Sequence, residues 1–440
     1  MPLRLIFLGI FIFSLTENDY LCTLLSRLFC VCCFLIYSIN STNMNNLSER
    51  LEALSPSETL AMSQRSAELK AQGIDVINLS VGEPDFNTPD HIKLAAKEAI
   101  EQNFSFYSPV PGFPGLRKAI SAKLQTENQL TYKPEQILCS TGAKQSLCNV
   151  LLSIINPGDE VIVPAPYWVS YVEMVKLAEG TNVVVQTDLD HDYKMTPKQL
   201  QEAITPRTKA LILCSPSNPT GSVYSKEELA AIADVLANNP NVMIISDEIY
   251  EHINYVGKHE SIAQFDSVRD RVVVVNGVSK GYAMTGWRIG WIAAPQWVVA
   301  ACNKLQGQYT SAPNSIAQKA AEAAYTGDQT CVGTMRNAFE RRRDLMVKLA
   351  KEIPGVKVNN PQGAFYLFPD VSTYLGKAFQ GKKMETGADL SFYLLEEAHV
   401  ACVGGNAFGA PSCIRLSYAA ADELLVEAMQ RIKVALLKLS

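Results

Sequence analysis

Three apolar runs in the middle of the chain each end on a polar side chain capable of chemistry. Ala210-Leu-Ile-Leu-Cys-Ser-Pro-Ser-Asn218 ends on an amide, Val242-Met-Ile-Ile-Ser-Asp247 on a carboxylate, and Arg271-Val-Val-Val-Val-Asn-Gly-Val-Ser-Lys280 on an amine. Roughly one strand–helix unit separates each from the next. In open α/β sheets, ligands bind beyond the carboxyl ends of the strands, so this pattern delivers all three groups to one crevice. The set suits an aromatic nitrogen cofactor carried on the lysine as a Schiff base. The amine attaches the cofactor and later shuttles protons. The carboxylate keeps the ring nitrogen protonated, so that the ring accepts electrons from a carbanion at Cα. The amide hydrogen-bonds the ring hydroxyl. Any one of the three alone reads as an ordinary loop residue; the three in order do not.

One further group reads as an anion receptor. Phosphate binding needs donors at a helix start plus a cation. The turn Ser140-Thr-Gly142-Ala143-Lys144 follows a strand and precedes the helical stretch Gln145 to Ile155, so Gly142 and Ala143 are expected to offer backbone N–H groups. It is not a Walker sequence. Arg415 lies inside the otherwise apolar strand Cys-Ile-Arg-Leu-Ser-Tyr, which disfavours a surface role.

Positioning these groups requires alternating strands and helices. Candidate strands are Gln136 to Cys139, Glu160 to Val163, Asn182 to Gln186, Ala210 to Cys214, Val242 to Ser246 and Arg271 to Val275, with helices such as Lys226 to Ala237 between them. The alternation predicts an α/β layer with a largely parallel sheet. Ahead of it, apolar positions recur at helical spacing from Leu47 to Gly73, and a short strand, Val76 to Leu79, leads into Gly82-Glu83-Pro84-Asp85. After about Pro313 the pattern changes. A long helical stretch, Ile316 to roughly Ile353, leads to strands near Val356 and at Ala364 to Phe368, a helix near Leu390 to Ala398, a strand at Ile414 to Tyr418 and a last helix. That predicts a smaller α+β domain. The expected division is an apolar extension outside the enzyme (1–43), an arm and first part of the small domain (44–87), a large cofactor-binding domain (88–314) and the small domain (315–440).

Composition narrows the class. A chain of 440 residues, 48% apolar and 19% charged, is long enough for a large domain plus a smaller one. A formal charge of -5 without a basic stripe argues against nucleic acid. The run Arg341-Arg342-Arg343 reads as a solvated helix face. Of eleven cysteines, Cys22, Cys30, Cys32 and Cys33 crowd the N-terminus, while seven are scattered from Cys139 to Cys413. Those seven read as small buried hydrophobes in a reducing compartment, which points to a cytoplasmic enzyme. None of the five histidines pairs with another at metal-ligand spacing, so no metal is expected. No G-x-G-x-x-G follows a strand, which sets aside a nicotinamide-dependent dehydrogenase.

The first 43 residues stand apart. Leu3 to Leu15 is apolar around Arg4, and Leu28 to Ile39 is apolar again after Glu17-Asn18-Asp19. Neither reaches the roughly 20 residues that cross a bilayer, and no A-x-A-like cleavage site follows the second. A membrane anchor, a targeting peptide, and an upstream start with Met44 as the true first residue are all open. The composition changes abruptly at Met44, and the last is favoured because the later cysteines look cytosolic. No membrane partner is expected unless the extension is real.

The segment Gly277-Val-Ser-Lys280-Gly-Tyr-Ala-Met-Thr-Gly-Trp-Arg288-Ile-Gly290 resembles, throughout, the lysine motif of class-I aminotransferases of the fold-type-I pyridoxal-phosphate enzymes. The resemblance runs from about Met44 to the C-terminus. It implies pyridoxal 5'-phosphate as cofactor and amino transfer between amino acids and 2-oxo acids. By this resemblance Lys280 is the attachment lysine and proton carrier, and Asp247, in Ser-Asp-Glu-Ile-Tyr, partners the pyridine nitrogen. Tyr250 and Asn218, the latter in Asn-Pro-Thr-Gly, bond the ring oxygen. Trp168, in Pro-Tyr-Trp-Val-Ser-Tyr, stacks on the ring. Arg288 and Ser279 join Gly142 and Ala143 around the phosphate, and Arg415 grips the substrate α-carboxylate. Gly82 matches the glycine over which substrate closes. Tyr107 matches a tyrosine that reaches the phosphate of a neighbouring subunit, implying a homodimer with shared active sites. The family sometimes has serine where this chain has Gly277, so one phosphate hydroxyl is expected to be missing.

For substrate, Pro56-Ser-Glu-Thr59, Ser80-Val-Gly-Glu-Pro-Asp, Thr141-Gly-Ala-Lys144 and Pro166-Tyr-Trp-Val-Ser-Tyr171 resemble an aspartate aminotransferase subgroup of aspartate/prephenate type. There the lysine of the Thr-Gly-x-Lys turn meets the distal carboxylate, helped by a nearby hydroxyl. The matching residues are Lys144 and Thr59. The alternative is that Lys144 serves only the phosphate. The implied reaction is reversible ping-pong transfer from L-aspartate to 2-oxoglutarate, giving oxaloacetate and L-glutamate. Prephenate with glutamate comes second, alanine or aromatic amino acids third. A pyridoxal-phosphate lyase is the rival of another class, since the same electron sink serves it. A regulatory, transcription-factor-like role needs a DNA-binding domain, for which the N-terminal extension is too short and too apolar.

Overall fold

The computed structural model describes residues 47–440. The apolar runs, the first four cysteines and Met44 lie outside the described residues. One unit ends at Glu52, and its described part carries the short helix Glu49–Glu52; residues 53–440 form the second unit. The single helix expected over 47–73 is therefore two, the second being Glu58–Ala71. Pro56 lies between them, and the proline disfavours helix in the residue before it. The second helix ends through Gly73 at φ +84°, with the Ile74 N–H on the Leu69 carbonyl. Glycine makes that left-handed exit without strain.

Strand β1 (Ile77–Asn78) comes next. It is followed by β2 (Ile137–Ser140), β3 (Glu160–Ala165), β4 (Thr181–Gln186), β5 (Thr208–Cys214), β6 (Met243–Asp247), β7 (Val272–Gly277) and β8 (Gly290–Ala293). The strands β2 to β8 form one sheet in the order β2-β8-β7-β6-β5-β3-β4. Neighbours are parallel except at β8, which runs antiparallel to both β2 and β7. The sequence reading did not foresee β8, whose residues continue the attachment segment without a break in composition.

The central strands are apolar on both sides because both faces of the sheet are covered. Val272 and Val274 pack into one core with Leu211, Leu213 and Ile244, whereas Val273 and Val275 pack into the opposite core with Ile212 and Ile245. Local caps start the intervening helices. Ser225 with Glu228, and Thr196 with Gln199, form capping boxes for Lys226–Ala237 and Pro197–Ala203.

A third core gathers the C-terminal elements. These are β9 (Tyr366–Leu367), the hairpin of β10 (Ala378–Phe379) and β11 (Lys382–Lys383), β12 (Val400–Ala401), β13 (Val403–Gly404) and β14 (Ile414–Ser417). The order β13-β14-β9 makes an antiparallel sheet, and β1 pairs in parallel with β12. The long helix expected from Ile316 to about Ile353 is two, Ser315–Thr326 and Thr330–Lys351. The break has a packing reason. Ala317, Ala320 and Ala324 face a core of the large sheet, while Phe339, Met346 and Ala350 face the C-terminal core. Val356 lies outside the strands, and the neighbouring Lys357 makes an isolated bridge to Asp370.

The arginine run is not a solvated face. Arg341 is exposed, but Arg342 and Arg343 are buried. Arg342 holds Asp85 in a two-pronged fork at 2.7 and 2.9 Å and donates from Nε to Asp422 at 3.2 Å. Arg343 donates to the Pro361 carbonyl and stacks on Tyr255. Arg343 also donates from Nε to the adjacent Asp344 at 2.6 Å, but Asp85, Asp422 and Pro361 come from segments outside the run, which the run itself cannot reveal.

The seven cysteines among the described residues are free, with Cys139, Cys302, Cys402 and Cys413 buried. No helix among the described residues is long and apolar enough to cross a membrane.

Candidate active site

Strands β5, β6 and β7 lie side by side, with Cys214 opposite Asp247 and Asp247 opposite Val275. Their carboxyl ends open at one level. The chain leaving them brings Asn218, Asp247 and Lys280 to one cavity of about 280 Å³. Of the residues expected at the site, all but Gly142 and Tyr107 line it.

Asp247 is buried. Its Oδ2 accepts from the Tyr171 hydroxyl at 2.6 Å and its Oδ1 from the Ile249 N–H at 3.2 Å. Burial raises its pKa to about 6 even though the Tyr171 bond pulls the other way. Among the described residues no cation pairs with it directly, and Lys280 acts on it only from a distance. Lys280 donates to the Gly82 carbonyl, and its amine lies 5.8 Å from the Tyr250 ring centroid. Burial brings its pKa down to about 8; Glu83 opposes the shift, while Arg415 and Arg288 add to it.

Arg415 is buried and donates from Nη1 to Asn218 Oδ1 at 3.0 Å and from Nη2 to the Ser80 carbonyl at 2.6 Å. Its guanidinium stacks over Tyr366, 4.6 Å from the ring centroid, and its Nε is buried without a partner. Burial lowers its pKa. A fork with an idle N–H and no carboxylate on it is arranged as an anion receptor. On another wall the Lys144 amine sits 4.9 Å from the Trp168 ring centroid, and Trp168 meets Tyr171 edge-on. Burial, then the charge of Arg288, lowers the Lys144 pKa. Among the residues that line the cavity, Lys144, Lys280, Arg288 and Arg415 face a single carboxylate, Asp247.

The expectation for Gly142 is corrected. Its N–H donates back to the Ser140 carbonyl at 2.8 Å, so it has no donor to offer outward. Gly142 is needed instead for its φ of +83° and because a Cβ there would overlap the Arg288 guanidinium. The donors at the start of helix Ala143–Ile154 are those of Ala143 and Lys144, which have no acceptor within the helix. The turn packs so closely on β8 that a Cβ at Gly290 would overlap the Ala143 nitrogen. At Gly277 a Cβ would stand 2.7 Å from the Ile289 carbonyl and 2.9 Å from Gly290 Cα, so no side chain fits there without a backbone shift. Arg288 takes φ +57° and donates to the Thr285 carbonyl at 2.8 Å. Ser279 is buried beside it, and Thr59 lines the cavity with Ser57. Tyr107 is fully exposed and not brought to this cavity.

Sequence reasoning missed Tyr171, Tyr366, Cys214 and Thr285, which also line the cavity. Tyr171 follows Trp168 by three residues within Pro-Tyr-Trp-Val-Ser-Tyr, at the start of helix Ser170–Leu177, and that spacing was the available signal. Tyr366, within Phe-Tyr-Leu-Phe, carries no signal that separates it from core.

Behind the site, Lys123 is ion-paired with buried Glu251, which also accepts from Asn128 at 2.9 Å and Asn276 at 2.8 Å. His259 bonds Glu248 at 3.0 Å. Glu127, Glu251 and His252 approach one another closely enough to share an ion, as do Glu248, Glu251 and His259. Lys123 and the histidines already face those carboxylates. The network braces residues 248–251, which carry Tyr250.

The family model "Aminotransferase class I and II" matches residues 74–432. The chain belongs to the class I and II aminotransferases. This aminotransferase is 49% identical over 397 residues to the "Bifunctional aspartate aminotransferase and glutamate/aspartate-prephenate aminotransferase" of Petunia hybrida, covering 89% of this chain and 83% of that one. It is also 49% identical over 390 residues to the aspartate/prephenate aminotransferase of Cereibacter sphaeroides, covering 88% and 98%. The aspartate aminotransferase of Rhizobium meliloti superposes with a TM-score of 0.87 at 42% identity, over 90% of this chain and 100% of that one. That of Thermus thermophilus with maleate gives 0.84 at 41%, over 89% and 100%. The aminotransferase therefore has the fold-type-I architecture of these structures.

Proposed function

We propose that this aminotransferase carries pyridoxal 5'-phosphate on Lys280 and transfers the amino group of L-aspartate to 2-oxoglutarate, giving oxaloacetate and L-glutamate by a ping-pong mechanism. The observation that carries the reading is a pair of cationic receptors on one cavity with Lys280, namely Arg415 with its idle Nε and Lys144 on Trp168. A dicarboxylate satisfies both; a monocarboxylate leaves one unpaired.

The residues fit the cofactor. Among the described residues no cation pairs directly with Asp247, Trp168 offers a flat wall, and the Ala143 and Lys144 amides with Ser279 and Arg288 suit a phosphate. When bound, the cofactor supplies an electron sink for the pair left at the substrate Cα. Lys280, at about 8, presents a useful fraction of neutral amine near neutrality, first as nucleophile and then as carrier of the Cα proton. Asp247, oriented by Tyr171, holds a proton on the ring nitrogen. Tyr250 and Asn218 donate toward the ring oxygen; the Asn218 carbonyl is occupied by Arg415, so its amide N–H groups are the free ones. Arg415 orients the substrate carboxylate, and Gly82 keeps its approach open. Thr59 assists Lys144 at the distal end.

Tyr107, exposed on this chain, reaches the phosphate site of a second copy, making a homodimer with shared sites. The protein works in the cytoplasm, with a large domain over 88–314 and a small one from 44–87 and 315–440. Two relatives named for prephenate favour prephenate with glutamate as a second reading, served by the same Lys144 and Thr59.

Adding L-aspartate alone to the cofactor-loaded protein should bleach its visible band without a second substrate. Borohydride reduction and peptide mapping should place the label on Lys280. Release of ammonia or pyruvate would mean a lyase instead, and a donor panel against oxaloacetate, 2-oxoglutarate and prephenate ranks the substrates. A label elsewhere ends the proposal.

A further inference from the structure

The hydroxyls of Tyr250 and Tyr366 lie 2.7 Å apart, and both side chains are buried. Tyr366 comes from β9, 116 positions away in sequence. It touches three parts of the site at once. Its hydroxyl bonds Tyr250, its ring lies 4.6 Å from the Arg415 guanidinium, and its hydroxyl fills the space where a Cβ at Gly82 would stand.

A phenol has one proton to give and can accept on its oxygen. Among the described residues, Tyr366 is the hydrogen-bond partner of the Tyr250 hydroxyl, and either oxygen can be the donor. If Tyr250 gives its proton to the cofactor ring oxygen, its own oxygen can only accept. Tyr366 is the neighbour placed to donate to it. The charged and titratable groups facing this pair are Arg415 on β14, Cys214 on β5 and Lys280 beyond β7. Burial raises the pKa of both phenols, and Arg415 opposes that shift at each of them.

We propose that Tyr366 is a positioning residue with two separable tasks: its hydroxyl points the Tyr250 proton toward the cofactor, and its ring holds the Arg415 guanidinium in place for the substrate carboxylate. This rests on the reading of Lys280, Tyr250 and Arg415 given above. Hydrogen bonds in such chains reinforce one another, so losing the outer hydroxyl weakens the inner bond.

Two variants separate the tasks. Tyr366→Phe removes the hydroxyl and keeps the ring; Tyr366→Leu removes both. The readouts are the pH midpoint of the visible band of the cofactor-loaded protein and the Kd for maleate, a dicarboxylate with no amino group. In Tyr366→Phe the midpoint should rise by about half a pH unit, reflecting the loss of one neutral hydrogen bond, while maleate binds within about twofold of wild type. In Tyr366→Leu the midpoint should rise similarly and maleate should bind about tenfold more weakly, the size of a desolvated cation–π contact. A Phe variant that titrates like wild type overturns the hydroxyl task, and a Leu variant with unchanged maleate affinity overturns the ring task. If the wild-type protein itself shows no band that borohydride traps on Lys280, the underlying reading fails and this one with it.

Discussion

Replacing Lys144 with alanine isolates the question of substrate choice. The Lys144 amine rests on the Trp168 face and shares the cavity with Arg415, while the backbone N–H of the same residue belongs to the turn proposed to hold phosphate. Alanine keeps the backbone donor and removes the amine. A hydrogen bond to a charged group is worth roughly 1.5–3 kcal/mol. The Lys144 side chain keeps solvent contact although its amine is partly desolvated on the cavity wall, so solvent screening places the loss near the lower end, about 1.5 kcal/mol. At about 1.4 kcal/mol per decade, kcat/KM for aspartate and for 2-oxoglutarate should fall about tenfold, mostly through KM. Alanine and phenylalanine have no second carboxylate and should change by less than about twofold. The assay is steady-state kinetics over that panel, with cofactor retention measured by dialysis. Equal losses on every donor, accompanied by weaker cofactor retention, would show that the amine serves the phosphate and would refute the argument.

Three other outcomes follow from the geometry. Attachment of the cofactor needs the neutral Lys280 amine, whose pKa is lowered to about 8, so the rate of cofactor capture should fall about tenfold per pH unit below that point and level off above it; a profile flat from about pH 6.5 to 8.5 in rapid-mixing absorbance would contradict this. Lys123→Met leaves Glu251 buried without its cation, and breaking such a pair costs roughly 3–5 kcal/mol. Urea unfolding should show it, with recovery in the double variant Lys123→Met with Glu251→Gln; a loss under about 1 kcal/mol would mean that the histidines suffice. Gly290→Ala drives a methyl into the Ala143 nitrogen, an overpacking of roughly 1–3 kcal/mol. Cofactor should be retained about tenfold less well, and unchanged retention would show that β8 does not hold the turn in place.

Much of the large sheet was legible because its physics is local. The valines at 272–275 alternate between two buried faces, and a four-residue apolar run bounded by Arg271 and Asn276 has few other solutions. Strand β8 was not legible, since Gly290-Trp-Ile-Ala lacks its own turn signals and owes its place to pairing with β2 and β7. The helix break at Gly327 was hidden for a related reason. Apolar spacing continues across it, and only the existence of two separate cores shows which half faces which.

At the site, residue types and order along the chain determined the chemistry: an amine, a carboxylate and an amide at three successive strand ends converge whatever the details of packing. Tertiary structure alone decided the neighbours that tune them. Tyr171 beneath Asp247, Tyr366 between Tyr250 and Arg415, and Asp85 in the fork of Arg342 all join segments tens to hundreds of positions apart. The same holds for Gly142, whose N–H turned out to be spent on Ser140, and for the buried arginines of the 341–343 run. A hydrogen-bond partner or a desolvated charge is a property of what folds against a residue, and local sequence carries no record of it.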